Sequence, residues 1–227
     1  MNRTLDARSL VAPAAATADP AWPNRRRDLV LAALGTTVMH GIMYMLANHY
    51  PHGAVQRLPL SPIDLAVPFM PWTVFIYLSD YFLLFVAFQF CRSRASADRF
   101  LVTLFSVIFT ATLLHWAYPV GFPRELYPLP DGLPLGPFKA MELLRIFDAE
   151  TSCLPSLHVA AAVLGPLLIS REAPKAFPWL MTWAIAISLS TLTTKQHYVL
   201  DVVAGATLAV AAWLVAQHLR PVSAPAR

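Results

Sequence analysis

The chain has 227 residues, of which 57% are hydrophobic and 13% are charged, and its formal net charge is +4. Soluble domains average about 25% charged residues, so this composition argues against a soluble protein and for a polytopic membrane protein. The basic residues form no stripe with interleaved aromatic residues, so we expect no nucleic-acid partner. Cys91 and Cys153 lie at the ends of different apolar runs, and no zinc-binding spacing is present.

Six apolar runs predict six membrane spans, because crossing the hydrocarbon core takes about 20 helical residues. In chain order the runs are 29–47, 72–90, 100–118, 156–170, 177–194 and 198–218. We therefore predict an all-α fold, a bundle of six transmembrane helices within residues 28–219. Residues 1–27 are predicted to form a disordered tail and residues 220–227 a second tail.

The longest predicted loop covers residues 119–155. Its second half, residues 138–147, has the apolar spacing of a short helix lying on the membrane surface. Asp80 is a carboxylate inside the second predicted span and must face the bundle or water. A buried structural hydrogen-bond partner is the simpler interpretation of that residue.

The distribution of basic residues predicts the topology. Six spans put both termini on one side, where 12 lysines and arginines lie, against five on the other side. The positive-inside rule therefore predicts cytoplasmic termini. The stretches around Arg124, His158 and Lys195 then converge on the outer, periplasmic side of a bacterial inner membrane.

Two polar residues begin the sixth predicted span. His197 and Asp201 are four residues apart and would share a face if one helix contains both. The carboxylate can hold the proton of one ring nitrogen, which leaves the other nitrogen as an oriented nucleophile or base. A structural pair at a helix end is the alternative interpretation.

The fourth predicted span begins with Pro155 and Ser156, which are favoured at helix starts. The free amides of a first helical turn, with the serine hydroxyl, can bind an anion. His158 lies in the same turn, and an ordinary helix cap would give the same pattern. Arg124 and Lys195 add positive charge on that side, or are plain loop charges. Taken together, these residues predict a phosphate site that needs no metal and no cofactor.

The pattern resembles the lipid phosphate phosphatases, or type 2 phosphatidic acid phosphatases, which share their core with vanadium haloperoxidases. That family has the motifs K-x6-R-P, P-S-G-H and S-R-x5-H-x3-D. The second motif matches the run from Pro155 to His158, and the third matches the run from Ser190 to Asp201. The resemblance implies that His197 attacks phosphorus, that Asp201 orients it and that His158 protonates the leaving alcohol. It also implies that Arg124, Ser156 and Lys195 surround the phosphate.

Three residues of this chain differ from the residues that the family motifs have at those positions. Ala117 stands at the first-motif lysine, Thr191 at the third-motif arginine and Leu157 at the second-motif glycine. Lys195 is the candidate replacement for one missing cation. The runs from His197 to Val203 and from Val67 to Trp72 are similar to the branch that contains inositol phosphorylceramide and sphingomyelin synthases.

Three functions follow as hypotheses. The first is hydrolysis of a lipid phosphate or an isoprenyl diphosphate. The second is transfer of a phospho-headgroup to a lipid alcohol such as ceramide or diacylglycerol. The third is a non-catalytic lipid-binding or scaffold protein that has lost two site cations. In each case the expected partner is a membrane lipid, and the sequence predicts no oligomeric state.

Overall fold

The computed structural model describes residues 22–218, which are mostly helical. The helices are α1 (Trp22–His49), α2 (Pro62–Ala66), α3 (Val74–Tyr77), α4 (Asp80–Gln89), α5 (Arg94–Ala117), α6 (Leu135–Phe147), α7 (Leu157–Ile169), α8 (Phe177–Thr193) and α9 (Val199–His218). Short 3-10 turns cover Pro71–Thr73 and Arg124–Leu126. Two strands, β1 (Gln56–Arg57) and β2 (Val120–Gly121), pair in parallel. The prediction of a mostly helical protein is confirmed.

Within residues 22–218, three helical stretches are long and apolar enough to cross a membrane. They are Pro71–Gln89, α5 and α9, and they coincide with the second, third and sixth predicted spans. Helices α7 and α8 are apolar but shorter, with 13 and 17 residues. The bundle of six spans therefore stays a prediction.

The two predicted tails lie mostly outside the described residues, which exclude 1–21 and 219–227. Helix α1 contains the first predicted span and extends beyond it, because it already begins at Trp22. The predicted N-terminal tail therefore overlaps the first turns of α1.

Helix α7 lies at the centre of the fold and packs against α4, α5, α8 and α9. Its small residues, among them Ala160 and Ala162, are buried and let neighbouring helices approach closely. The closest approach is to α9 at Gly205, where an added Cβ would collide with the carbonyl oxygen of Ser156. The first turns of α7 and α9 are therefore held side by side.

The stretch Pro71–Gln89 is interrupted between α3 and α4. The hydroxyl of Ser79 donates to the carbonyl of Ile76 at 2.6 Å and accepts the indole N–H of Trp183 at 2.8 Å. These bonds satisfy polar groups at the break. Tyr77 and Asp80, on either side of it, are both buried.

The loop between α6 and α7 is tied to the end of α1. The side-chain amide of Asn48 donates to the carbonyl of Ala149 at 2.9 Å and to the hydroxyl of Ser152 at 2.7 Å. It also accepts the N–H of Ala149 at 2.7 Å. Asn48 is fully buried, so this loop has a fixed position above the helices.

The short helix predicted for residues 138–147 is present as α6 and begins earlier, at Leu135. Met141 and Leu144 face inward and pack with Tyr77. Leu143, Ile146 and Phe147 are exposed on another face. This amphipathic pattern suits a helix at a membrane surface.

Cys91 and Cys153 are both buried and are not joined in a disulfide. They belong to separate hydrophobic clusters, Cys91 in the cluster around α7 and Cys153 in one with Phe122 and Tyr198.

Candidate active site

His197 is held through one ring nitrogen. Its Nδ1 lies 3.3 Å from Oδ2 of Asp201 and 3.1 Å from the carbonyl oxygen of Cys153. Both neighbours are acceptors, so Nδ1 has the proton and Nε2 has the free lone pair. The tautomer follows from these two acceptors.

The predicted sharing of one helix by His197 and Asp201 is corrected in one respect. Helix α9 begins at Val199, so His197 lies just before the helix and Asp201 lies in its first turn. Oδ2 of Asp201 also accepts the N–H of Tyr198 at 2.8 Å. The aspartate therefore caps α9 and orients the histidine with the same oxygen.

Ser156 is the N-cap of α7 and is fully buried. Its hydroxyl accepts the N–H of Val159 at 3.4 Å, and its own N–H donates to the carbonyl of Asp201 at 3.0 Å. This second bond joins the start of α7 directly to the first turn of α9. The two sequence motifs predicted to cooperate therefore share a backbone hydrogen bond.

His158 lies in the first turn of α7, on the side that faces α3 and α4. Its ring stacks on Tyr77 with centroids 4.0 Å apart, and its Nδ1 lies 3.1 Å from the Tyr77 hydroxyl. Its Nε2 lies 3.6 Å from Oδ2 of Asp80. The second histidine thus has its own carboxylate partner, reached through the break between α3 and α4.

Arg124 is buried and bound to Asp148, the residue that follows α6. Its Nη2 lies 3.0 Å from Oδ2 of Asp148, and its Nη1 donates to the Asp148 carbonyl at 2.5 Å. Burial alone would raise the pKa of Asp148, but the charge of Arg124, the hydroxyl of Tyr44 and other nearby positive charges together outweigh burial and lower that pKa. The carboxylate is therefore ionised at neutral pH.

Asp148 also interacts electrostatically with both histidines of the predicted site. Positive charge on His158 and His197 contributes to lowering its pKa, after Arg124 and the hydroxyl of Tyr44. Burial alone would lower the pKa of Arg124, but the negative groups around it, Asp148 foremost, together outweigh burial and raise that pKa. Arg124, Asp148 and the two histidines therefore form one electrostatic cluster.

Lys195 is engaged in bonds to backbone carbonyls. Its φ of 55° places it in the left-handed region, in the turn between α8 and α9. Its Nζ donates to the carbonyls of Asp64 at 2.9 Å and Val67 at 2.6 Å and lies 4.6 Å from the ring centre of Tyr127. Burial lowers the pKa of Lys195. Phosphate binding by Lys195 stays a prediction. In this structure its ammonium binds residues 64–67 to the turn between α8 and α9.

A cavity of about 270 Å³ lies between α1, α4, α5 and α7. Asp80 and His158 line part of it, and the rest is mainly aliphatic and aromatic, including Leu84, Phe88 and Phe100. An apolar cleft with a few convergent polar groups is the usual form of a small-molecule site. The hydrocarbon part of a lipid could lie there.

Cys153, His197 and Asp201 place one potential metal-ligand atom each within 4.8 Å of one another. Burial raises the pKa of the Cys153 thiol well above its usual value, and the thiol points at the carbonyl of Gln196 at 3.4 Å. A zinc site would need the thiolate. The trio therefore fits orientation of His197 better than it fits metal binding.

The structure joins three of the six predicted site residues by hydrogen bonds, namely His197, Asp201 and Ser156. His158 lies in the turn that Ser156 caps, and Arg124 reaches the site through Asp148.

Sequence reasoning missed Tyr77 and Asp148 and treated Asp80 as a structural residue. A carboxylate inside an apolar span was the signal for Asp80. The other two residues had no comparable signal.

No curated protein and no solved structure gives a significant match to this chain. The family model described as the PAP2 superfamily matches residues 66–215, most of the chain. This match includes the starts of α7 and α9, with both histidines and Asp201. The chain therefore belongs to the PAP2 superfamily, whose name stands for type 2 phosphatidic acid phosphatase.

Proposed function

We propose that the protein is an integral membrane enzyme that hydrolyses a lipid phosphate or isoprenyl diphosphate through a phosphohistidine at His197, without a metal. Membership of the superfamily supports a lipid phosphatase or a related phosphotransferase. The observation behind the finer proposal is the geometry of His197. Its Nδ1 is held by Asp201 and the carbonyl of Cys153, which leaves the lone pair of Nε2 available as a nucleophile.

In the first step, Nε2 of His197 forms a bond to phosphorus as the bond to the lipid oxygen breaks. Asp201 stabilises the positive charge that develops on the ring. His158 donates a proton to the departing oxygen, so the lipid leaves as an alcohol. The carboxylate of Asp80, 3.6 Å from His158, favours the protonated form needed for this step.

In the second step, His158 acts as a base and accepts a proton from water. The water oxygen bonds to phosphorus while the phosphorus–nitrogen bond breaks. Phosphate is released, and His197 and His158 return to their starting states. Positioning and charge stabilisation supply most of the rate in such transfers.

The amides of the first turn of α7 and the guanidinium of Arg124 are the donors proposed to hold the phosphate oxygens. The hydroxyl of Ser156 would support that turn as its cap. Lys195 would act mainly by shaping the turn before His197, since its ammonium is already bonded to two carbonyls.

The proposed setting is a bundle of six spans in a plasma membrane, with both termini cytoplasmic and the site on the outer side. Three helical stretches long enough to cross a membrane and the amphipathic helix α6 support it. The cavity beside His158 supports a lipid substrate, because its walls are largely apolar.

Transfer of a phospho-headgroup to a lipid alcohol is the second candidate function. One observation favours it: Arg124 is paired with Asp148, and Lys195 with backbone carbonyls. A site with so little free positive charge suits a phosphate diester, with one negative charge, better than a monoester with two. The likeness to inositol phosphorylceramide and sphingomyelin synthases points the same way.

The test is turnover by the purified protein in lipid micelles. Phosphatidic acid, an isoprenyl diphosphate and a phosphodiester lipid are each labelled in phosphate, with diacylglycerol and ceramide present as acceptors. Release of free labelled phosphate is expected, and label in a new lipid would establish transfer instead. His197→Ala should lose at least about 10³-fold of either activity, and the lost nucleophile is the reason.

His52→Ala is the matched control, since His52 is an exposed histidine in the loop after α1. Its turnover should equal that of the unaltered protein. Equal turnover by His197→Ala would contradict the phosphohistidine mechanism. No turnover of any donor by the unaltered protein would leave the scaffold hypothesis.

A further inference from the structure

The end of α6 brings a carboxylate to the only site arginine predicted from the sequence. Asp148 binds both terminal nitrogens of Arg124, one through its side chain and one through its carbonyl. Its other carboxylate oxygen accepts the hydroxyl of Tyr44 at 2.7 Å and lies 3.3 Å from the amide of Asn48. Four hydrogen bonds from three side chains therefore hold this aspartate in place.

We propose that Asp148 is a specificity-determining residue: by holding a carboxylate on Arg124 beside the two catalytic histidines, it disfavours doubly charged phosphate monoesters and favours singly charged phosphate diesters. This inference rests on the proposed phosphate site and bears on which candidate function that site serves, because a preference for diesters favours headgroup transfer over hydrolysis of a monoester.

The first support is that Asp148 is a permanent negative charge near the reacting atoms. Arg124 lowers its pKa in spite of burial, and the charges of His158 and His197 act in the same direction. The hydroxyl of Tyr44 donates to Asp148, and Tyr44 lines the same cavity as His158, so a phosphate held beside His158 would lie near this carboxylate. Since Coulomb energy scales with the product of charges, a dianion is repelled twice as strongly as a monoanion.

The second support is that the cationic groups already have partners. Two of the five N–H groups of Arg124 donate to Asp148, and its Nε is buried with no hydrogen-bond partner among the described residues. Lys195 donates to two carbonyls. The charge of Arg124 is therefore already offset by a carboxylate, which suits an anion with one charge better than an anion with two.

The third support is that a carboxylate also lies beside each histidine. His197, whose Nε2 keeps a lone pair, pairs with Asp201, and His158 lies 3.6 Å from Asp80. With Asp148 beside Arg124, each of these three groups has a carboxylate partner. These carboxylates leave little positive charge beside the histidines to offset a second phosphate charge.

Asp148 could instead be a purely structural tie between α6 and α1, through Tyr44 and Asn48. A structural tie predicts lower stability on substitution and no change in the preference between singly and doubly charged phosphates. Charge selectivity is therefore the readout that separates the two roles.

The first experiment uses the full chain without substitution and needs no turnover. Methyl phosphate, mostly a dianion at pH 7.5, and dimethyl phosphate, a monoanion, are titrated in parallel, and binding is followed by the rise in melting temperature. Dimethyl phosphate should bind at least as tightly as methyl phosphate. Methyl phosphate binding tenfold tighter would overturn the inference.

The second experiment compares variants. Asp148→Asn should improve binding of methyl phosphate relative to dimethyl phosphate by about tenfold or more, because the repelling charge is gone while the shape is kept. Asp148→Glu should restore the original ratio. Glu142→Gln, an exposed carboxylate on α6 paired with Lys139, is the matched control and should leave the ratio unchanged.

An unchanged ratio of methyl phosphate to dimethyl phosphate binding in a folded Asp148→Asn protein would overturn the inference. If that variant does not fold, the comparison of the two anions on the unaltered chain decides. The outcomes also separate this inference from the proposed function. Binding of neither anion contradicts both, whereas binding of both with the dianion preferred contradicts the charge selection alone.

Discussion

The two histidines of the site are held in opposite ways. His197 is 6% exposed, and its Nδ1 faces two acceptors within 3.3 Å. His158 is 16% exposed and lines an apolar cavity, and its carboxylate partner is 3.6 Å away. Its ring also stacks on that of Tyr77.

This difference matches the two chemical tasks proposed for the rings. A nucleophile gains from a single fixed orientation, because misplacement of the attacking atom costs rate directly. An acid that later becomes a base must exchange its proton with the substrate, so access matters more than rigidity. The tight pair, His197 with Asp201, therefore suits nucleophilic attack. The loose pair, His158 with Asp80, lies beside the cavity and suits proton transfer.

The tight pair should be the more sensitive of the two. Asp201→Asn is expected to reduce turnover by about 10³-fold or more, because the amide keeps the shape but cannot stabilise a positively charged ring. Turnover and melting temperature measured together check this. A loss below about tenfold in a folded variant would contradict a nucleophilic role for His197.

The loose pair should respond to the leaving group. Asp80→Asn is expected to lower turnover by about 10–100-fold when an alkyl alcohol departs, since acid catalysis typically contributes about 10²–10⁴-fold. With p-nitrophenol, which leaves without a proton, the loss should shrink to a few-fold. Rates with both ester types measure the difference.

Asp98→Asn is the matched control for that prediction. Asp98 is also a helical aspartate, but it is exposed and paired with Arg94 on α5. It should leave both rates unchanged. Equal losses with the two leaving groups in Asp80→Asn would assign Asp80 a structural role.

The smallest effect is expected for the hydroxyl that contacts His158. Tyr77→Phe keeps the stacked ring and removes one hydrogen bond, which contributes about 0.5–1.5 kcal/mol, or about 2–10-fold in rate. The effect should appear in turnover at saturating substrate. A loss as large as that of Asp80→Asn would mean that Tyr77, and not the carboxylate, controls the ring.

The parts of the fold that the sequence predicts are those determined by residues close together in the chain. The start of α9 and the cap at Ser156 follow from short spacings. The long apolar runs locate both ends of α9 and the end of α5 to within one residue, whereas α5 begins at Arg94, before the predicted span. Hydrophobic periodicity and capping residues are local signals, so one sequence is sufficient for them.

The parts that escaped prediction depend on contacts between distant segments. The Tyr77 hydroxyl meets His158 across 81 positions, and Nζ of Lys195 meets Asp64 across 131. The break between α3 and α4 lies inside a continuous apolar run and has no composition signal. Pairing of Asp148 with Arg124 likewise depends on how the loop after α6 folds back.

Gly205 sets the distance between the two halves of the catalytic apparatus. Because Gly205 has no side chain, the carbonyl of Ser156 contacts the backbone of α9 at this position. A methyl group on Gly205 would push the two helices apart. Separating α7 from α9 would pull apart the helix starts that hold His158 and Asp201. The hydrogen atom that Gly205 has in place of a side chain thus allows α7 and α9 to hold His158 and His197 at their present separation.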